Sequence, residues 1–176
     1  GETISTLTSD SSGMSADDVI DATDKLVVPG GIDAHTHFKD PDPDEIEGFY
    51  YGSMGAVAGG VTSVVEMPQA TPTSSEASHI HEKIKVGEQK SLVDFALWGA
   101  AINQDLESIE EMIDAGIVAV KSFMASSSPW FPRITDANMY DVFALLAERD
   151  IPYGLHAEND ELLQDGIRTL QEAGEN

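Results

Sequence analysis

The sequence predicts an α/β fold, a (β/α)8 barrel of which this chain carries about the first five βα units. Three observations point to it. Strand-like apolar runs alternate with helix-like segments from residue 26 onward, and such alternation means parallel pairing. No Gly-x-Gly-x-x-Gly turn follows any of the strands, so an open sheet built around a dinucleotide lacks its signature. Finally, the chemically useful side chains fall at the ends of several different strands, which is the habit of a barrel.

Residues 1–25 are polar and irregular. Ile4 and Leu7, then Val19 and Ile20, are read as short strands around the 9–13 loop, the remnant of a small β-rich subdomain. Residues 26–176 form the N-terminal part of the barrel. Its strands are expected at 26–37, 61–67, 93–101, 117–124 and 153–156. The helix over 49–58 stops at Gly59-Gly60, as a helix C-terminus should. The next, over 76–88, follows Ser74 and Ser75 and carries Ile80 and Ile84 on one face. The third, over 106–115, places Leu106, Ile109, Met112 and Ile113 at helical spacing and ends at Gly116. Thr135 is the expected N-cap of the fourth, whose apolar residues are Met139, Val142, Phe143 and Leu146. The fifth, over 160–173, is expected to bury Leu162, Leu163, Ile167 and Leu170 before Gly174.

At 176 residues and 41% hydrophobic content the chain suits one globular domain with a sizeable core. Thirty-two acidic residues against nine Lys and Arg give a net charge of −23, which argues against a nucleic-acid partner. The acids are spread through every segment, as on the solvated surface of a salt-adapted protein whose self-repulsion is relieved by screening. A halophilic source is expected. No apolar run approaches the ~20 residues that span a membrane, so no membrane partner is expected either. The chain shows no secretory leader pattern and has no cysteine, in keeping with a cytoplasmic protein free of disulfides and thiolate ligands.

Chemistry concentrates in residues 26–37, where an apolar β-branched run passes through Pro29-Gly30-Gly31 and ends in His35-Thr36-His37. Alternate residues of a strand point the same way, so the two imidazoles project together, with Asp33 on their side. Such a pair makes half of a site for zinc, iron, nickel or copper. A bare His-x-His is more often two solvated histidines, but the strand before it favours the ligand reading. Lys121 lies in the apolar run 117–124, where its charge costs desolvation unless paired or neutralised. It is read as a Schiff-base or general-base lysine, as a modified metal ligand, or as a lysine pairing with one of the many acids. His156 closes the last strand and, in company with the other three, is read as a ligand. Glu66, at the end of the second strand, either supports a ligand or is solvated. His79 and His81 sit mid-helix two residues apart, face different ways, and are read as surface residues.

Four blocks, Pro29 to His37, Gly60 to Pro68, the strand around Lys121, and His156-Ala157-Glu158-Asn159, together resemble the cyclic amidohydrolases. That family includes dihydropyrimidinase (hydantoinase), allantoinase and dihydroorotase. The resemblance runs from about residue 19 to the end, in order and spacing. It implies a TIM barrel holding two divalent ions, usually zinc. His35 and His37 would bind the more buried ion, a carbamate formed from CO2 on Lys121 would bridge both, and His156 would bind the second. Water activated between the ions would open a ring amide of a small cyclic substrate. A further metal-binding histidine and the catalytic, proton-shuttling aspartate are expected after Asn176, so this chain alone should be inactive. Five strands would also leave open sheet edges, and a homo-oligomer is expected.

Substrate choice follows the same resemblance. Ser126 stands where dihydropyrimidinases carry an oxyanion-stabilising tyrosine. Lys39 and Gln69 lie where dihydroorotases carry an arginine and an asparagine that grip a carboxylate. The small run 126–128 before Phe131-Pro132, with Glu66-Met67-Pro68, looks most like allantoinase. A five-membered ureide or hydantoin-like ring is expected, allantoin first, with dihydroorotate or a dihydropyrimidine as the alternative. A reading of another class is a barrel relative that has lost its chemistry and acts in structural assembly. The presence of His35, His37, Lys121 and His156 argues against it.

Overall fold

The computed structural model describes residues 3–42 and 47–175. Its elements run β1 (Gly31–Thr36), α1 (Gly48–Ala58), β2 (Val61–Glu66), α2 (Ala77–Lys90), β3 (Asp94–Ala100), α3 (Leu106–Asp114), β4 (Ala119–Phe123), α4 (Asp136–Arg149), β5 (Tyr153–His156) and α5 (Asp160–Glu172). All neighbouring strands pair in parallel, in the sequential order β1-β2-β3-β4-β5. A doubly wound sheet reverses its strand order at a switch point. None occurs here, so the sheet is a five-unit half-barrel.

Successive helices α1 to α4 lie against one another as a single layer. The core fills the space between that layer and the sheet. Phe49 of α1, Val64 of β2, Ile80 of α2, Leu97 of β3, Ile109 and Met112 of α3, Val120 of β4, and Val142 and Leu146 of α4 form one cluster. Because strand residues alternate, Val120 facing the helices sends Lys121 and then Phe123 to the opposite, inner face. A smaller cluster of Ala100, Phe123 and Phe131 closes that inner side above β3 and β4.

The helix ends follow their local chemistry. Thr135 accepts from Asn138 N at 3.2 Å, the cap expected for α4. Asp105 and Asn159 cap α3 and α5 in the same way, at 2.8 and 3.0 Å. α1 is capped from a distance. The buried Asp40 carboxylate accepts from Phe49 N at 2.9 Å and pairs with Lys90 of α2 at 3.1 Å. Gly60, with φ +80, turns the chain from α1 into β2, a left-handed conformation that suits glycine.

Three expectations are corrected. Among the described residues before β1 there is no strand; Ile4, Leu7, Val19 and Ile20 are exposed, with no neighbouring backbone to complete a ladder. The first strand begins at Gly31, not at residue 26. Leu26, Val27 and Val28 lie exposed, so the run before the histidines is apolar but not buried. α5 buries none of its residues: Leu162 is 72% exposed, and Leu163, Ile167 and Leu170 are exposed too. Its apolar stripe is real, but no described element packs on it. Among the described residues no helix is long and apolar enough to cross a membrane.

Candidate metal centre

Thr36 faces the helix side of β1, where its hydroxyl donates to Glu66 at 2.8 Å. Alternation then sends His35 and His37 to the inner face. Their Nε2 atoms converge to 3.2 Å, with ring centroids 5.1 Å apart. Two imidazoles on one tetrahedral zinc, with Zn–N bonds of ~2.0–2.1 Å, hold their nitrogens ~3.3 Å apart. The pair is therefore already spaced for a shared ion. Asp33 supports it through the backbone: its carboxylate accepts from His35 N at 3.0 Å and does not touch either ring. Burial holds the His37 imidazole below its ordinary pKa, and the positive charges of His35, Lys39, Lys83 and Lys121 push the same way. A depressed pKa keeps the ring neutral, the form that binds metal.

Lys121 is 6% exposed and stands on the fully buried strand β4. Burial lowers its pKa, and Glu158 opposes that shift. Its ammonium lies 4.9 Å above the centre of the Phe123 ring, and among the described residues no carboxylate forms an ion pair with it. In register with Phe123, His156 ends β5 and stacks on the same ring at 5.1 Å and 14°. Its Nε2 meets Glu158 Oε1 at 2.8 Å, which leaves Nδ1 for another partner. The other Glu158 oxygen is buried with no hydrogen-bond partner. Among the described residues no three His, Asp or Glu side chains gather closely enough to hold an ion by themselves.

A cavity of about 300 Å³ is lined by Lys39, Gln69, Thr73, Ser127, Ser128 and Trp130, among others. Lys39 and Gln69, two of the expected substrate contacts, share it. Ser126 does not line it. Its hydroxyl accepts from Arg133 N at 3.3 Å, while Ser127 takes the place facing Gln69, with Gln69 Nε2 donating at 3.4 Å. Of the two helix histidines, His81 is exposed as expected, while His79 is half-buried beside Trp130.

The sequence left Glu66 open between two readings and did not single out Lys83. Glu66 is fully buried, its carboxylate accepting from Phe38 N and Lys39 N at 2.9 Å each as well as from Thr36. Lys83 of α2 is 1% exposed and stands 3.6 Å from Glu66, donating at 2.7 Å to Met67 O. A lysine at helical spacing looks solvated in sequence; only the register of α2 against β2 shows otherwise.

Residues 26–175 match the model of the amidohydrolase family. An L-hydantoinase of Paenarthrobacter aurescens is 35% identical over 97% of this chain and 38% of its own length. An allantoinase of Rubrobacter xylanophilus is 37% identical over 81% of this chain and 32% of its own. Among solved structures, the L-hydantoinase (dihydropyrimidinase) from Arthrobacter aurescens superposes with a TM-score of 0.90 at 35% identity, over 95% of this chain and 38% of that one. A D-hydantoinase from a Bacillus species gives 0.70 at 26% identity, over 83% and 33%. The chain thus spans only 32–38% of the length of these relatives. With a family match over nearly all of it and the sequential half-barrel to go with that match, the chain belongs to the amidohydrolase family.

Proposed function

We propose that the full-length protein carrying this chain is a metal-dependent hydrolase that opens the amide bond of a ureide or hydantoin-like ring. The observation that carries the reading is the convergence of the His35 and His37 Nε2 atoms on the inner face, 3.2 Å apart. Lys121 and His156 rise from β4 and β5 on that face. Relatives named hydantoinase and allantoinase support it.

His35, His37, His156 and a carbamylated Lys121 would hold two divalent ions, zinc first. Bound there, the ions would supply an activated water at neutral pH and polarise the carbonyl it attacks. The chain's own part is to prepare these donors. Burial lowers the Lys121 pKa, enlarging the share of neutral amine at physiological pH. The amine lone pair bonds to the carbon of CO2 and an N–H proton leaves to solvent. A costly buried cation becomes an anion with two oxygens. Glu158 accepts from His156 Nε2–H and so presents Nδ1 to the site. Lys39, Gln69 and Ser127 offer polar groups to the ring's carbonyl and N–H edges. The remaining histidine and the proton-shuttling aspartate are expected from residues after Asn176. The exposed apolar stripe of α5 supports assembly with further chain, in the same subunit or another.

Allantoin is the favoured substrate, with hydantoins, dihydropyrimidines and dihydroorotate as the alternatives. The test is ring opening by the full-length protein with bicarbonate present, at low and at molar potassium chloride. One cyclic amide should be turned over, faster in high salt given the net charge of −23. Lys121→Ala should reduce the rate at least ~100-fold. A folded full-length protein inert toward all four substrates would contradict the reading and favour the structural relative.

A further inference from the structure

We propose that the buried Glu66–Lys83 pair is the positioning device of the metal centre, acting through the backbone from the opposite face of the sheet. The proposal rests on the metal-centre reading and goes beyond it, because neither residue touches a candidate ligand side chain.

Glu66 shares the helix-facing side of β2 with Val64. From there its carboxylate takes three hydrogen bonds from one short segment: Thr36 Oγ1 at 2.8 Å, Phe38 N at 2.9 Å and Lys39 N at 2.9 Å. Those donors bracket His37 on both sides. The last belongs to a residue in the left-handed region, Lys39, with φ +60. A non-glycine residue keeps that conformation only where its surroundings hold it. Here the carboxylate does so, and the turn it fixes ends β1, aims His37 inward and delivers Lys39 to the substrate-sized cavity.

Lys83 completes the device. A carboxylate with no exposure is costly to keep ionised without a cation, and the ammonium 3.6 Å away supplies one. The same ammonium donates to Met67 O at 2.7 Å, at the start of the loop that carries Gln69 into the cavity. One buried ion pair therefore ties the histidine turn of β1 to the Met67–Gln69 loop after β2 and fixes both against α2. Neither group has another evident task. Both lie on the face away from the chemistry, and a pair of apolar residues would fill the same space without the desolvation cost.

The experiment is cobalt(II) titration of the full-length protein, followed by the visible absorption of the bound ion. It compares wild type, Glu66→Gln, Thr36→Val and a core control, Val142→Ala. Glutamine keeps the shape of Glu66 but turns one acceptor into a donor facing a backbone N–H. Thr36→Val removes one of the three hydrogen bonds to the carboxylate. Val142→Ala weakens the helix-side core without reaching the turn. The expected result is a dissociation constant raised ~10- to 100-fold in Glu66→Gln, with an altered spectrum, and several-fold in Thr36→Val. Val142→Ala should keep wild-type affinity and spectrum despite a lower melting temperature. Wild-type affinity and spectrum in a folded Glu66→Gln would overturn the proposal; if that variant does not fold, wild-type behaviour in Thr36→Val does so. Cobalt(II) failing to bind wild type itself would instead overturn the metal-centre reading beneath it.

Discussion

His37 shows how one side chain's surroundings prepare it for a role. Desolvation by the surrounding chain and four positive neighbours hold its folded-state pKa below the ordinary 6.5. Above pH 6.5 the ring is neutral in folded and unfolded chains alike, and its full contribution to stability is present. As pH falls through 6.5 and on through the depressed folded value, the unfolded chain takes up a proton that the folded one resists, and stability is lost. Thermal melts of the metal-free protein from about pH 8 to 5 should show a declining melting temperature, with a shallower decline in His37→Asn. Identical slopes would contradict the assignment. The i, i+2 spacing of His35 and His37 was legible because strand periodicity alone decides it. Glu66 was not: whether a strand-end carboxylate is solvated or buried depends on Lys83, seventeen positions later, and on where α2 settles. That Ser127 and not Ser126 lines the cavity has a similar cause, since loop residues follow no period that fixes which side chain faces it.

At the scale of elements, two glycines inside α1, Gly52 and Gly55, have opposite consequences. Gly52 is buried where a Cβ would overlap the Phe38 ring, so α1 approaches the turn after His37 as closely as a helix can. Gly55 has nothing within 4 Å of its Cβ position. Gly52→Ala should destabilise the protein by about 1–3 kcal/mol through overpacking. Gly55→Ala should stabilise it by about 0.5–1 kcal/mol by removing backbone freedom from the unfolded chain. Chemical denaturation of both variants checks the pair, and a stabilised Gly52→Ala would contradict the packing described for Phe38. The helices and strands themselves were legible to within a few residues, because apolar periodicity, the Thr135 cap and the glycines after α1 and α3 are local signals. What a face packs against is not local. α5 has an amphipathic pattern equal to that of α3, yet α3 buries Ile109 and Met112 and α5 buries nothing. The run 26–28 likewise has strand composition and no strand partner.

For the molecule as a whole, the sequential order β1 to β5 turns five separate strand ends into one rim. Lys121 and His156 come from adjacent strands, His156 lying opposite Phe123, and Trp98 of β3 reaches across to donate to Ala34 O of β1 at 3.1 Å. Barrel geometry was legible from where the reactive residues fall along the chain. The burial of the rim was not, since β1 and β5 each have a single strand neighbour among the described residues. The acidic surface, at −23 against a core of ordinary composition, places the charge where solvent screens it, on the outer faces and loops. The proposed function requires that His35, His37, Lys121 and His156 together hold two ions. Metal analysis of the full-length protein, purified with zinc and bicarbonate in high salt, tests it most directly. About two zinc ions per chain in wild type, and fewer than about one in Lys121→Ala, is the predicted result. A folded wild type without zinc, or a Lys121→Ala variant that keeps both ions, would contradict it.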